Sequence, residues 1–294
     1  MPANPPAPSV PLRPPAWATT LVRASSKEIS ALDAAFAAGA ALAALDVLVR
    51  EEAPFAGVWR RRLALKAAAM SLNGRAGDEA SLRDAFALTP PGGDPGPAGR
   101  VYVAWRALAK ARLAEIATGL GAPDPAALEA IVAAQARTSA PAPVAAAAAA
   151  TAVAAAFPRA ATLALAVADL VLAARLGWRV AVPLLALEAG RARPGDAAWS
   201  AACCAAYARA AARACDLHAE LGAAAARLMA VAPKLRAKGA GAAISALLDE
   251  DAVSSAAEIA GLSDRGLRRL FDRLVDLGAV RELTGRPTFR LYGL

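Results

Sequence analysis

Residues 254–294 read SSAAEIAGLSDRGLRRLFDRLVDLGAVRELTGRPTFRLYGL, and the fold expected of the chain turns on this stretch. Ser263 is a capping residue, and behind it Leu267, Leu270, Phe271, Leu274 and Leu277 recur at the spacing of one helix face. The opposite face carries Arg265, Arg268, Arg269 and Arg273. Gly278 stops the helix, and Val280, Leu283, Phe289 and Leu291 fall on two short strands turned at Thr284-Gly285-Arg286-Pro287. Upstream, Ile244, Leu247 and Leu248 mark a first amphipathic helix. Ser254-Ser255 would cap a short second helix through Ile259, with Gly261 making the tight turn. Two helices, a turn, a third helix and a hairpin make a winged helix-turn-helix over residues 239–294.

In that fold the third helix enters the major groove of double-stranded DNA with its N-terminal half against base edges. Arg265, Arg268 and Arg269 are then placed to read bases, guanine being the favoured partner of a bidentate guanidinium, and Arg273 extends the same face. Arg286 at the wing tip, with Arg281 and Arg290, would contact backbone phosphates or an adjacent minor groove. The competing reading is a winged helix that contacts protein, its arginines solvating one face. Between Ser254 and Leu294 seven Arg stand against five acidic residues, and Asp264, Asp272 and Asp276 lie on or beside the third helix, which weakens the positive field. Lys234, Arg236 and Lys238 just upstream are further phosphate contacts or a solvated linker.

Working back towards the N-terminus, the chain reads as an all-α, Ala-rich body over residues 17–238 behind a disordered Pro-rich tail, 1–16. Ser25 and Glu28 form a capping box, and Ile29, Leu32, Phe36, Ala40, Leu45, Leu48 and Val49 continue a helical stripe towards Pro54. Further helices are expected at about 58–72, 79–88, 100–119, 125–136, 143–156, 159–176, 181–189, 196–230 and 239–249, with the Pro/Gly cluster 89–99 as a loop. Such a body dimerises or senses a partner; small side chains at helix contacts serve internal packing, oligomer interfaces and ligand cavities equally.

Composition sets outer limits. A net charge of +8 suits a polyanionic partner. Thr138–Pro158 is uncharged and long enough to span a membrane, but it is mostly Ala, holds Pro141 and Pro143, and is followed by Arg159, Asp169 and Arg175. With no secretory signal visible near Met1, a cytoplasmic protein is expected. Cys203, Cys204 and Cys215 share one helical stretch and imply reduced, packed thiols.

Catalytic chemistry is poorly supplied. The one histidine, His218, stands three positions after Cys215, a spacing at which a Cys-His dyad is conceivable, though an interior or surface histidine is commoner. No second histidine or spaced Cys pair supplies a metal site, and Gly239-Ala240-Gly241 is too short for a phosphate loop. No catalytic residue, metal or cofactor is therefore expected. Asp46, Glu51 and Glu52 with Arg60, Arg61 and Arg62 read as ion pairs across a helical hairpin, solvated and of little energetic weight.

Four segments carry a resemblance: DAAFAAGAAL at 33–42 with Leu45-Asp46, WRRRLALK at 59–66, DPGPAGR at 94–100 and APKLRAKGAG at 232–241. They resemble an uncharacterised bacterial family, domain of unknown function fourteen-oh-three, common in rhizobia and related α-proteobacteria, over nearly the whole chain after residue 16. That family implies no activity. The ending RELTGR at 281–286 with FRLY at 289–292 is also similar to the C-terminal winged helices of Fic-like proteins and rhizobial plasmid-borne relatives. The Fic catalytic signature begins His-Pro-Phe, whereas His218 is followed by Ala219, so nucleotidyl transfer does not carry over.

Overall fold

Alanine sets the spacing of the helices. Helix α2 (Ala31–Glu51) turns Ala34, Ala37, Ala38 and Ala41 inward, and its main partner is the 33-residue helix α11 (Trp199–Val231), itself rich in buried Ala. Side chains this small let two backbones approach closely, so contact accrues along the whole length. Helices α8 (Ala142–Ala156) and α9 (Ala161–Leu176) form the second extensive pair by the same means. The computed structural model describes residues 11–23, 29–72, 78–90, 92–110, 112–121, 124–188, 192–285 and 288–294.

The remaining body helices are α1 (Ala16–Arg23), α3 (Ala56–Ser71), α4 (Glu79–Ala87), α5 (Gly96–Ala107), α6 (Leu113–Leu120), α7 (Pro125–Ala136) and α10 (Leu185–Glu188). Tryptophans fasten them together. Trp59 donates to the Ala214 carbonyl at 3.0 Å, Trp199 to Ala147 at 2.9 Å, Trp178 to the Asp46 carboxylate at 2.7 Å and Trp105 to the Ser71 hydroxyl at 3.2 Å. Each ring buries apolar area while its one polar atom finds an acceptor.

Several expectations are revised. The box Ser25/Glu28 lies outside the described residues; the cap of α2 is Ser30, whose hydroxyl accepts from the Asp33 N–H at 3.0 Å. Leu45, Leu48 and Val49 of the expected stripe are buried, but Leu32 and Phe36 are 79% and 63% exposed, because Ala34, Ala37 and Ala38 take the inner positions of that half of α2. Part of the expected tail is ordered: α1 starts at Ala16, Pro14 is buried, and Arg13 lies 3.0 Å from Asp216. The helix expected over 100–119 breaks after a 3-10 turn, Leu108–Lys110, and α6 returns against α5 so closely that a Cβ on Gly119 would sit 2.7 Å from that of Ala104. Of the helix expected over 181–189, residues 181–184 are not helical and α10 begins only at Leu185. Among the described residues, α2 is the one helix long and apolar enough to cross a membrane, and 44% of that window is buried inside the protein.

At the C-terminal end, α12 (Ala240–Asp249) is followed by β1 (Val253–Ser254), a run of turns, α13 (Asp264–Asp276), β2 (Arg281–Glu282) and β3 (Leu291–Gly293). The strands form a small antiparallel sheet in the order β1-β3-β2, with Val253 opposite Tyr292 and Glu282 also opposite Tyr292. The short helix expected from Ser254 through Ile259 is not formed. Ser254 pairs with Leu291, and the Ser255 N–H donates to the Arg290 carbonyl at 3.0 Å, so the sheet takes the groups that a helix would need. Phe289, expected on a strand, is instead 65% exposed with φ +56°, a conformation costly for a bulky side chain. One continuous apolar core runs from Ala18 in α1 to Leu294 after β3.

Candidate nucleic-acid interface and the seam behind it

The amphipathic spacing of α13 does what the sequence implies. Ser263 accepts from the Gly266 N–H at 3.2 Å, and Leu267, Leu270, Phe271 and Leu274 are buried in the apolar core. Phe271 stacks on Tyr292 with ring centroids 4.4 Å apart. Gly261 holds φ +80° in the turn before the helix, and its neighbour in space, Gly239, lies so close that a Cβ there would meet the Ala260 carbonyl at 2.5 Å. Only glycine permits both the left-handed turn and this approach.

Arg265, Arg268, Arg269 and Arg273 all project from the exposed side of α13, and none forms an ion pair with another described residue. Asp272 and Asp276 share that side by helical spacing. The strand arginines behave differently. Arg281 donates to the Leu294 carbonyl at 3.4 Å, and Arg290 lies 3.8 Å from the Glu282 carboxylate, so both also serve the module's own sheet. Arg286 lies outside the described residues.

Behind this face is a feature that the sequence reading missed. Asp249, Glu250 and Asp251 follow one another at the C-terminal end of α12, where the helix dipole disfavours negative charge, so the run needs cations from elsewhere. The body supplies four. Arg61 pairs with the Asp249 carboxylate, donates to the Asp249 carbonyl at 2.7 Å and reaches Glu250 at 3.0 Å. Arg62 pairs with Asp251, and Arg83 reaches the other Asp251 oxygen at 2.6 Å. Arg62 also donates to the Leu294 carbonyl at 3.4 Å. Arg106 grips Glu250 through two nitrogens at 2.9 and 3.2 Å, with its guanidinium 4.3 Å over the Phe86 ring.

Arg60, Arg61 and Arg62 therefore do not make the hairpin pairs expected of them, and Arg62 and Asp251 are buried at 8% and 2% exposure. Asp46 pairs instead with Arg50 at 2.8 Å on its own helix. The available signal was the three consecutive carboxylates at a helix end. Their partners lie some 140 to 190 positions away in sequence, beyond any local pattern.

The Cys-His spacing assembles no nucleophile. Burial pushes the Cys215 thiol up to about 12, with Asp216 adding to the effect, whereas an activated thiolate needs a lowered pKa. His218 packs against the Phe55 and Trp59 rings at 4.7 and 5.3 Å, its Nε2 buried without a hydrogen-bond partner, and burial lowers its pKa. Cys203 and Cys204 are free, buried and likewise raised by burial. Several cavities open among the described residues of the body, two of them beside α3 and α9. One of about 600 Å³ is lined by Met70, Phe157, Thr162, Leu165 and Trp199 among others; one of about 340 Å³ is lined by Leu63, Lys66, Glu79, Arg213 and Asp216 among others.

Residues 8–294 match the model of the family described as a protein of unknown function, DUF1403. No curated protein matches the chain.

Proposed function

The chain belongs to the DUF1403 family, and from this premise we propose that it is a cytoplasmic, non-enzymatic DNA-binding accessory or regulatory protein whose C-terminal module is a winged helix variant. The observation that carries the reading is the outer face of α13: four exposed arginines without an ion-pair partner among the described residues, on a helix whose buried side stacks Phe271 on Tyr292 of β3. The order α12, β1, turns, α13, β2, β3 with β3 central agrees with a winged helix in which turns replace the second helix. Double-stranded DNA would take α13 in its major groove, with Arg265, Arg268 and Arg269 towards base edges. Arg273, Arg281, Arg286 and Arg290 would serve phosphates.

The test is binding of the full chain to random-sequence duplex at low and high salt, beside the triple change Arg265→Ala, Arg268→Ala, Arg269→Ala. Phosphate contacts release counterions, so affinity is expected to fall steeply with salt, and the triple variant to bind about tenfold or more weakly with a shallower salt slope. Absence of binding at low salt would defeat the proposal.

A second reading, a helical interaction module that pairs with another copy of itself, is favoured by the outer face of α2. Leu32, Phe36 and Val47 are 79%, 63% and 52% exposed there, and Trp17 stacks on Phe36 at 5.0 Å. A dimer by sedimentation together with no duplex binding at low salt separates it from the first.

A further inference from the structure

Between the body and the end of α12 lies a cavity of about 150 Å³, lined by Arg60, Arg61, Arg106 and Lys110 with Asp249, over an apolar floor that includes Val180 and Pro183. Three body elements and α12 meet here: Arg60 and Arg61 come from α3, Arg106 from α5, and Lys110 from the 3-10 turn after it. Asp249 lines the cavity and Glu250 is bonded to Arg61 and Arg106, so two carboxylates answer two of the four cations. Two positive charges are left over.

The surplus is carried by Arg60 and Lys110, neither of which forms an ion pair among the described residues. Arg60 feels Glu52 and Asp249 only at a distance, and its Nη1 is shut off from solvent without a hydrogen-bond acceptor. Cations in excess of carboxylates around a small space suit an anion that accepts several charge-assisted bonds at once. A volume of about 150 Å³ is enough for a tetrahedral oxyanion.

We propose that this cavity is a binding site for a phosphate group, either free phosphate or the terminus of a small phosphate ester, held by Arg60 and Lys110 with Arg61 and Arg106 behind them. None of its lining residues lies on α13, so the site is separate from the DNA face and does not depend on that reading. Because Arg61 holds both the carboxylate and the carbonyl of Asp249, an anion here bears directly on the contact between α3 and the end of α12.

The test is isothermal titration of the full chain with inorganic phosphate and, separately, with glycerol 3-phosphate, at pH 7 and constant ionic strength in chloride. One saturable site per chain is expected, weakened about tenfold or more by Arg60→Gln and also by Lys110→Gln, since each removes a charged hydrogen bond. Lys110 is exposed, so its variant keeps the assay informative should Arg60→Gln disturb folding. Arg265→Gln on α13 is expected to leave the titration unchanged. Tighter binding of the ester identifies a phosphorylated small molecule as the ligand, and equal or weaker binding identifies free phosphate. No saturable heat with either compound, or an undiminished titration in both the Arg60 and Lys110 variants, overturns the proposal.

Discussion

Asp169 lies at the centre of the body with its carboxylate turned on the backbone: Leu184 donates to it at 2.8 Å and Leu185 at 3.2 Å. These two bonds start α10 and hold the loop from α9 in place. Burial pushes its carboxyl up to about 7, against the opposing pull of the two N–H groups. Tyr207 is fully buried close by, and its hydroxyl adds a smaller pull in the same direction as the N–H groups. The folded pKa stands above the unfolded value of about 3.9, so between about pH 4 and 7 the native state binds the extra proton. Stability therefore falls as pH rises through that window and levels off above it, by something on the order of 4 kcal/mol at most. Asp169→Asn keeps one acceptor oxygen and removes the titration. Urea denaturation at pH 5 and pH 7.5 is expected to show a smaller stability difference in Asp169→Asn than in the parent chain; equal differences would show that Asp169 is not the group responsible.

At the scale of elements, the seam between α3 and α12 depends on an approach that only glycine allows. A Cβ on Gly57 would lie 2.7 Å from the Asp249 Cα and closer still to its carboxylate. The carboxylate could swing away, but the backbone could not, and Arg61 fixes Asp249 through its carbonyl as well. Gly57→Ala is thus expected to push α12 off α3 and destabilise the chain by about 1–3 kcal/mol, the range for overpacking a tight site. Gly241→Ala, in open space on α12, serves as the control and is expected to be neutral or slightly stabilising. Denaturation midpoints for the two variants check this, and equal midpoints would contradict the close approach. Elements with strong punctuation were legible in the sequence: α7, α8 and α13 lie within a residue or so of where caps, Pro and Gly put them. The pieces that failed are those shaped by neighbours, such as α10, limited by the Asp169 cap, and the segment after Ser254, drawn into the sheet.

For the molecule as a whole, one core joins the body to the C-terminal module, and Asp251 ties them again from inside. The two sequence regions, 17–238 and 239–294, are therefore expected to unfold together. Calorimetry should give one transition, at which far-ultraviolet circular dichroism and tryptophan fluorescence change at the same temperature. Asp251→Ala leaves Arg62 buried and Arg83 without their common partner, and is expected to cost about 3–5 kcal/mol while the transition stays single. Two separate transitions in the parent chain would mean that the seam does not couple the regions.

Local order along the chain carries whatever depends on neighbours three or four positions away: the helical class, most helix positions, and the charged outer face of α13 with its buried leucines. The four candidate arginines of α13 were legible because a single helix positions them all. Packing settles the features that join residues far apart along the chain. Alanine, not Leu32 or Phe36, is turned inward in the first half of α2, because the closeness of two backbones is a property of the pair. Arg62 is a buried partner of Asp251, and Arg60 and Lys110 line a cavity, because folding brings α3, α5 and α12 together. A charge on a helix reads the same in sequence whether solvent or a carboxylate 189 positions away answers it, and only packing, which sets the distance and the local dielectric, tells the two apart.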